Sequence, residues 1–429
     1  MILLKLAYLN LFRNKRRTLS TGLAICIGFV GLNLLGAYIY RVKKSLDTTS
    51  VYSALNGHIK LFKKDSLVGF SLQPKKYIFA SEELLRVTSV LDSFSTDIEY
   101  VGHNLNGSAL LSNGNVSHPV LFHSFEPRVY ARSLLQPDIM NWAKDWVLPS
   151  QFENVKVFQD NNEVISITPK IADILALKKP LAANESMQLA GRTLDGDLNA
   201  VNVDLGAEHT TGMQFLEDTL ILVPLEKVRE LLGTEGAESL SVYLNKNVDM
   251  RDFKKKLDSK MQDADLDVDS YYYYDEKINS VYLGTMGFLT VMGAFFVFLI
   301  GSAVSLTIVN SLTMGIIERT REIGTLLAVG FKRSDVTKLF VLENLLCGLF
   351  SVLAGLILSY MFAAIVNSLN IRFTPPGISG NIQFKLVWNF VIALSVTSFV
   401  LSLTYLSSFV VLKRKEKTKL IDLINDSGA

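Results

Sequence analysis

The stretch GIIERTREIGTLLAVGFKR, residues Gly315–Arg333, decides the fold because it separates two long uncharged runs. Ile278–Ile317 forms the first run, and Leu339–Ile371, interrupted only by Glu343, forms the second. The charged side chains at the start of the connector are Glu318, Arg319, Arg321 and Glu322. A helix of about 20 apolar residues is long enough to cross a bilayer. The pattern therefore predicts two membrane spans joined by a charged connector.

Two further apolar runs, one near each end of the chain, complete the predicted membrane plan. The predicted spans are residues 18–42, 278–317, 335–366 and 386–412. One span thus precedes the polar region 43–277 and three follow it. The sequence predicts an α-helical membrane protein with four transmembrane helices in a one-plus-three order. A large extracytoplasmic α+β domain of one or two subdomains is predicted between the first and second helices.

Lysines and arginines near the span ends predict the orientation of the chain. The segments expected in the cytoplasm are 1–17, 318–334 and 413–429. The domain 43–277 and the loop 367–385, which contains the turn sequence Pro375–Gly377, are expected outside. Arg41 and two lysines just after the first span oppose this orientation, although long domains translocate largely regardless of such charges.

The first 17 residues alternate apolar and basic side chains, which predicts an amphipathic helix on the inner membrane surface. A basic segment that only orients the first span is the alternative. We expect this span to be retained, because its apolar core is longer than the roughly 7–15 residues of a signal peptide.

The region 43–277 mixes strand and helix patterns. Apolar alternation predicts strands at Asn56–Phe62, Val201–Leu205 and Leu220–Val223. Helical spacing predicts helices at Ser81–Leu91, Pro169–Leu177, Leu225–Leu232 and Met250–Met261. The run Tyr271–Tyr274 fits an interfacial aromatic belt or a last strand, and a substrate-contacting surface is the functional alternative. No pattern identifies substrate-binding residues.

Composition and motifs argue against several classes of protein. The 429 residues are 49% hydrophobic with a net charge of +2, and the mean hydropathy is +0.28. Neither an ordinary soluble protein nor a nucleic-acid partner is expected. The two cysteines lie in apolar runs and the five histidines lack ligand spacing, so we expect no disulfide and no metal site. Hydrolase motifs and the P-loop G-x-x-x-x-G-K-[ST] are absent from the sequence. We therefore expect no enzyme and no cofactor in this chain, and any ATP to bind an ATPase outside it.

The connector has the pattern of a short amphipathic helix. Its mostly apolar stripe consists of Ile316, Thr320, Ile323, Leu327 and Phe331. The ion pairs expected at a spacing of three residues are Glu318–Arg321 and Arg319–Glu322. Gly330 is placed to end the helix and Ser334 to cap the next one. A solvated loop would explain the arginines, but not the stripe or the two glutamates.

Glu343 interrupts the second uncharged run about nine residues into the next helix. An intramembrane carboxylate costs about 2.5–3.5 kcal/mol on insertion scales. It is therefore expected either to contact a basic residue at the cytoplasmic side or to snorkel. The small residues in the spans are Ala24, Gly28, Gly301 and Ser305. They allow helices to approach closely, either between chains or within one chain.

Several stretches resemble the ABC transporter permease family that includes MacB, LolC, LolE and FtsX. Glu318–Val336, ERTREIGTLLAVGFKRSDV, resembles the family's coupling segment, and Leu6–Leu19, LAYLNLFRNKRRTL, resembles its N-terminal run. Lys419–Asp426, KLIDLIND, resembles a weaker tail motif. Ile167–Pro180 and Asp218–Gly233 resemble the family's periplasmic domain of two subdomains.

The resemblance implies a type VII, mechanotransmission permease, whose partner is a dimer of ABC ATPase subunits that carries ATP and Mg. The residues that would couple to the ATPase are Glu318, Arg319, Thr320, Arg321, Glu322, Ile323, Gly324, Leu327 and Phe331. Leu327 departs from the family, which often has a basic residue there. The resemblance also implies a dimer with a second permease, identical or homologous, in the bacterial inner membrane with both termini in the cytoplasm. Membrane lipids and a periplasmic adaptor, lipoprotein or other substrate would be further partners.

Two functions remain open at this point, and the connector argues against a third, a membrane-anchored sensor without an ATPase partner. The first is a permease subunit that converts ATP hydrolysis by a partner into conformational work on a periplasmic or membrane-embedded substrate. Lipoproteins, lipids, peptides and toxins are the candidate substrates, and none would cross the bilayer. The second is an FtsX-like regulator that transports nothing and controls a cell-wall hydrolase. The large outside region favours the first, since FtsX-type outside domains are usually smaller.

Overall fold

The chain is described by a computed structural model over residues 2–13, 15–148, 151–152, 155–156, 161–178 and 185–416. The tail motif at 419–426 and most of the predicted tail 413–429 lie outside the described residues. The chain divides into two compact units. The membrane unit comprises Met1–Val42, Gly287–Ile371 and Phe384–Ala429. The α/β unit comprises Lys43–Met286 and Arg372–Gln383.

The helices and strands are numbered in chain order over the described residues. The α-helices are α1 (Ile2–Arg13), α2 (Lys15–Thr48), α3 (Ser66–Gly69), α4 (Pro74–Tyr77), α5 (Ser81–Asp92), α6 (Pro127–Leu134), α7 (Pro169–Ile174), α8 (Leu225–Leu232), α9 (Met250–Asp263), α10 (Ser280–Glu318), α11 (Thr320–Ala328), α12 (Arg333–Ser368) and α13 (Phe390–Glu416). The strands are β1 (Ile59–Lys63), β2 (Ile98–Asn104), β3 (Asn106–Ser112), β4 (Ser117–Phe125), β5 (Val164–Ile167), β6 (Glu185–Arg192), β7 (Leu198–Glu208), β8 (Leu220–Pro224), β9 (Ser239–Leu244), β10 (Val268–Tyr272), β11 (Arg372–Phe373) and β12 (Ile382–Gln383). Short irregular helical turns lie at Thr49–Ser53, Ile139–Ala143 and Lys144–Trp146.

The described residues contain four helices that are long and apolar enough to cross a membrane. They are α2, α10, α12 and α13. The four predicted membrane helices are therefore present. The first extends beyond its predicted end at residue 42, and the fourth begins at Phe390 rather than at residue 386.

Small residues bring these helices together within one chain. A Cβ on Gly28 of α2 would lie 2.5 Å from Val304 of α10, so only glycine permits this approach. A Cβ on Gly301 would meet an aromatic ring of α13 at 3.4 Å. Ser305 and Ser407 share a hydrogen bond of 2.7 Å between α10 and α13. These contacts support the packing of small residues within the chain.

The N-terminal segment forms the predicted helix, α1, which packs against α12. Ala7 and Leu11 are buried, whereas Leu4, Tyr8 and Leu9 are about half exposed. The helix thus has a buried apolar stripe and a second, exposed apolar stripe. Its position on a membrane surface stays a prediction.

One part of the α/β unit is an antiparallel sheet of four strands in the order β10-β1-β9-β2. Alternate residues of β1, such as Ile59 and Leu61, enter a core with the apolar faces of α5 and α9. Val87 of α5 and Leu257 of α9 are both fully buried there. In this core, side chains that alternate along the strand pack against side chains that recur every 3.6 residues along the helices.

The other part is a closed six-stranded barrel in the order β3-β4-β8-β5-β7-β6. Two of its neighbouring pairs, β4 with β8 and β5 with β7, are parallel. Its interior is filled by side chains from several strands, including Leu111, Val203 and Ile221. α7 and α8 close the core with Ile171 and Leu231.

The predicted elements of this region are present. Two predicted strands lie in β7 and β8, the third overlaps β1, which begins three residues later than predicted, and the four predicted helices are α5, α7, α8 and α9. The bounds of α8 match the prediction, whereas α7 ends at Ile174, three residues earlier than predicted. Tyr271 and Tyr272 lie in β10, the last strand of the sheet, and Tyr273 follows it.

Three histidines of the α/β unit, of which His209 is buried and His58 and His123 are half-buried, remain neutral there. Burial lowers the pKa of His58 and of His209 to about 4, and that of His123 to about 3. His58 Nδ1 accepts a hydrogen bond of 3.0 Å from the Leu244 backbone N–H, which requires an unprotonated nitrogen. Protonation of these rings therefore opposes folding.

We predict that acid destabilises the α/β unit. The unfolded chain binds a proton at His58 near pH 6.5 and the folded chain only near pH 4, so stability is complete above 6.5 and falls as the pH drops towards 4. The substitution His58→Asn keeps an acceptor and removes the titration. It should reduce the loss at pH 4 by about 3 kcal/mol.

The measurement is chemical denaturation of the full chain in detergent, followed by tryptophan fluorescence in a Trp388→Phe background that leaves Trp142 and Trp146 as reporters. An unfolding free energy with the same pH dependence in both proteins would contradict the prediction.

Candidate functional site

The connector between α10 and α12 turns sharply before it becomes a helix. α10 ends at Glu318, and Arg319 leaves the helical region with φ −105° and ψ 20°. Thr320 Oγ1 donates to the carbonyls of Ile316 and Ile317 at 3.1 and 2.8 Å, which satisfies the end of α10. α11 then runs from Thr320 to Ala328, so the predicted helix is present but interrupted at Arg319.

The end of α11 follows the prediction for Gly330. This residue has φ +102°, and its N–H donates to Leu327 O at 3.1 Å. The Phe331 N–H donates to Leu326 O at 3.0 Å, which completes a Schellman motif. The predicted cap at Ser334 is wrong, because α12 already begins at Arg333 and no side chain caps it.

The apolar stripe of α11 faces its own protein. Ile323 and Leu327 pack against the core of the membrane unit, which includes Ile316 and Val336. Because these side chains are partly covered, they hold α11 on the bundle. Phe331 is also half-buried.

The opposite face of α11 is exposed. It consists of Arg321, Gly324, Thr325, Ala328 and Val329, which we call the outer face. Val329 is 75% exposed, a high value for an apolar side chain at a helix end. A Cβ on Gly324 would meet no atom within 4 Å, so the backbone there is open to approach.

The predicted ion pairs within the connector are wrong. Glu318 instead contacts Arg17 of α2, with Nη1 to Oε2 at 3.2 Å. Glu322 contacts Arg13, the last residue of α1. The expected pairs need a continuous helix through residues 318–322, and the break at Arg319 removes that geometry.

Arg319 turns inward and pairs with Glu343 of α12. Its Nη1 lies 2.9 Å from Glu343 Oε2, and the two side chains are 6% and 7% exposed. Arg17 Nη2 approaches the other carboxylate oxygen at 3.9 Å. Glu343 therefore contacts basic residues, one of the two outcomes expected for it. Removing one partner of a buried pair costs several kcal/mol, because a charge stays buried without compensation.

Space for Arg17 is created by Gly315. A Cβ at position 315 would collide with the Arg17 guanidinium. A cavity of about 20 Å³ adjoins this group and is lined by polar atoms of Thr21, Ser311 and Glu343. This volume is enough for one water.

Sequence reasoning placed Arg13 and Arg17 only among the charges that orient the first span, and it did not assign a role to Gly315. The sequence signal for the two arginines was a set of carboxylates far along the chain that need cationic partners. A carboxylate in an apolar bundle is stable only with a cation close to it. Four carboxylates lie in the connector and α12, namely Glu318, Glu322, Asp335 and Glu343. Which arginine meets which carboxylate depends on helix packing, which a single sequence does not show.

Among the described residues, no group of three or more His, Cys, Asp or Glu side chains is arranged to hold a metal ion. Tyr273 and Tyr282 donate from their hydroxyls to Asp47 Oδ1 at 2.9 and 2.7 Å. These bonds join the start of α10 to the end of α2 inside the α/β unit. A substrate-contacting role for the tyrosine run stays a prediction.

Residues 293–416, which include α11 and α12, match the family model described as FtsX-like permease C-terminal. This part of the chain therefore resembles the C-terminal domain of FtsX-like permeases.

Relatives of the chain are named as transporter permeases. An uncharacterised ABC transporter permease of Methanocaldococcus jannaschii is 29% identical over 160 residues, 36% of this chain and 39% of that protein. The macrolide export ATP-binding/permease protein MacB of Pasteurella multocida is 39% identical over 71 residues, 16% of this chain and 11% of that protein. The ABC transporter permease YtrF of Bacillus subtilis is 32% identical over 104 residues, 24% of each chain. The matches span less than half the length of each relative.

Two solved structures are similar to half of the chain. They are the periplasmic region of MacB from Actinobacillus actinomycetemcomitans and the extracellular domain of the ABC-type transporter YknZ from Gram-positive bacteria. Each is 13% identical, covers 50% of this chain and has a TM-score of 0.32, and the matches cover 88% and 98% of the two structures.

We predict that the buried and exposed carboxylates differ strongly in their effect on stability. Glu343→Ala leaves Arg319 buried without its partner and should lower the unfolding free energy of the membrane unit by about 3 kcal/mol. The control Glu322→Ala breaks the exposed pair with Arg13 and should change it by less than about 1 kcal/mol. The measurement is unfolding of the full chain in mixed detergent micelles. Equal effects of the two substitutions would show that the Arg319–Glu343 pair has no special role.

Proposed function

We propose that this chain is the permease subunit of an ABC transporter of the MacB/FtsX type, driven by an ATPase outside this sequence. The observation that carries the proposal is α11. This helix lies inside the region that resembles FtsX-like permeases, is fixed to the bundle by one side, and leaves its outer face exposed among the described residues.

The outer face has the properties of a docking surface for a protein groove. A short helix that offers small side chains and one apolar anchor fits a groove by its exposed face. Val329 supplies the anchor, Gly324 permits close backbone approach, and Arg321 supplies a cation. We infer that the occupant is the ATPase subunit, which binds the ATP and Mg that this chain has no P-loop to hold.

Charge pairs connect the connector, from the last residue of α10 to the first turn of α11, to three other helices. Glu322 reaches α1, Glu318 reaches α2, and Arg319 reaches Glu343 of α12. The two exposed pairs are weak, on the order of 1 kcal/mol or less. The buried pair is harder to break than the exposed pairs, so a displacement of α11 by the ATPase would be transmitted most directly to α12. Such coupling supports a mechanotransmission role, in which the α/β unit receives the motion.

The proposed membrane location, substrates and partner permease are based on the charge pattern and on the relatives. Basic residues near α1 and α11 favour a cytoplasmic position for this end of the bundle, in the bacterial inner membrane. The α/β unit would then lie on the outside and act on a lipoprotein, lipid, peptide or toxin. A second permease, identical or homologous, would complete the assembly.

We predict that Val329→Asp and Arg321→Glu weaken binding of the ATPase by at least about tenfold, because they place a carboxylate on the docking surface. Both side chains are exposed, so the unfolding free energy of the chain should stay unchanged. The measurement is titration of the purified ATPase onto the full chain in mild detergent, together with ATP hydrolysis.

Two controls separate docking from folding and from net charge. Lys246→Glu makes the same charge change as Arg321→Glu at an exposed position in the α/β unit and should leave binding intact. Ile323→Asp disrupts the packed stripe and should lower stability as well as binding. Unaltered ATPase binding in both outer-face variants would refute the docking role, and absence of any ATPase that binds the wild-type chain would refute the proposed function.

A further inference from the structure

The segment between α12 and α13 is folded as a small structure of its own. Its ends pair as the two-stranded ribbon β11–β12. At its tip the Ile378 N–H donates to Pro375 O at 3.1 Å, and Gly377 has φ +78°. Pro376 and Gly377 therefore occupy the central positions of a type II turn, in which the second central residue needs a positive φ. The turn predicted at Pro375–Gly377 is confirmed.

The tip of this segment pairs with the backbone of the loop that follows β7. Ile378 forms an antiparallel bridge with Met213. The Gln214 N–H donates to Gly377 O at 3.0 Å, and the Ser379 N–H donates to Gly212 O at 3.3 Å. All of these residues belong to the α/β unit. The segment is thus added to the α/β unit as a short strand would be.

A buried carboxylate holds the same contact. Glu217 is 8% exposed, and its Oε1 accepts hydrogen bonds from Ser379 Oγ at 2.6 Å and from Thr210 Oγ1 at 2.7 Å. The Thr211 N–H and hydroxyl donate to the same oxygen, each at 2.8 Å. Burial raises the pKa of Glu217, but these hydrogen bonds outweigh it and hold the pKa below its usual value. Glu217 is therefore ionised, and hydrogen bonds to a charged acceptor are the stronger kind.

Apolar packing and one charge pair add to the attachment. Ile378 and Ile382 pack against a core that includes Trp146 and Val147. Arg372 Nη2 lies 4.0 Å from Asp145 Oδ1. The attachment thus has backbone, ionic and apolar parts, which a passive loop would not need.

The segment is joined covalently to α12 at one end and to α13 at the other, so its attachment to the α/β unit can transmit the motion of these helices. α12 ends at Ser368, four residues before β11, and α13 begins at Phe390, seven residues after β12. At about 3.3–3.6 Å per extended residue, the shorter tether limits how far α12 can move without pulling on the segment. The other two membrane helices are also fastened inside the α/β unit, through Asp47 at the end of α2 and Tyr282 at the start of α10.

We propose that Arg372–Gln383 is a clasp, by which α12 and α13 act on the barrel of the α/β unit independently of α2 and α10. The transmission role rests on the proposed function, whereas the docking of the clasp does not. Glu343 joins α12 to Arg319, the residue immediately before α11, so the clasp gives a displacement of α11 a second route to the barrel.

The first experiment tests the docking in the full chain in nanodiscs, without an ATPase. Hydrogen exchange of the Gln214 and Ser379 amides reports the two bonds across the contact. Ser379→Ala should raise exchange at Gln214 by about tenfold, because a hydrogen bond to an ionised carboxylate is lost. The matched control Thr374→Ala removes a hydroxyl that bonds Asn381 within the clasp, and should leave Gln214 unchanged.

A disulfide provides the complementary test. Met213→Cys with Ile378→Cys, in a chain whose Cys26 and Cys347 are replaced by alanine, should cross-link on mild oxidation and restore the protection of Gln214 in the Ser379→Ala variant. Fast exchange at Gln214 in the wild type, or no cross-link, would overturn the docking.

The second experiment tests transmission with the bound ATPase. In the wild type, addition of ATP should change hydrogen exchange both in α11 and at Gln214. In Ser379→Ala, it should change hydrogen exchange in α11 alone. A response in α11 with the same response at Gln214 in both chains would overturn the clasp and leave the proposed function standing. No response in α11 of the wild type would overturn the proposed function itself.

Discussion

The buried pair between Arg319 and Glu343 is the constraint on which the membrane unit depends. A carboxylate ten residues along α12 is costly in an apolar bundle unless a cation reaches it. Arg319 reaches it only because α10 ends one residue earlier and the chain leaves the helix there. The break that satisfies Glu343 also creates α11 as a separate helix. Without the break, one continuous helix would carry Arg319 elsewhere and leave Glu343 with only the longer contact to Arg17.

Arg17 ties the pair to the N-terminal part of the chain. It bonds Glu318 and approaches Glu343, and it fits because position 315 is glycine. The ends of three membrane helices thus meet around one carboxylate. The ion pairs of this network differ in strength: the pairs at the surface contribute little to stability, and the buried pair contributes most. This arrangement lets α11 keep its exposed outer face while its position follows α12.

Much of this organisation could be predicted from the sequence, and the rest depends on packing. The membrane helices, α11, the end at Gly330 and several elements of the α/β unit follow from apolar runs, periodicity and glycine, which are local signals. Ion pairs such as Glu318–Arg17 join residues 301 positions apart and cannot be derived from spacing. Local signals also could not predict what the apolar stripe packs against, because an apolar helix face can contact an ATPase as well as the bundle. Most of the barrel was not predicted, since short strands such as β5 carry little periodicity and two of its pairs are parallel. The attachment of Ser379 to Glu217 is a long-range contact of the same kind.

The central claim is that α11 binds an ATPase by its outer face and the bundle by its stripe. The most direct measurement places a photoreactive diazirine side chain at Val329 in one protein and at Leu327 in another, in cells that contain the ATPase. Val329 is 75% exposed, whereas Leu327 packs against the core of the membrane unit. We expect Val329 to cross-link to a P-loop ATPase and Leu327 to this chain alone. Cross-linking of the ATPase from Leu327 but not from Val329 would contradict the central claim.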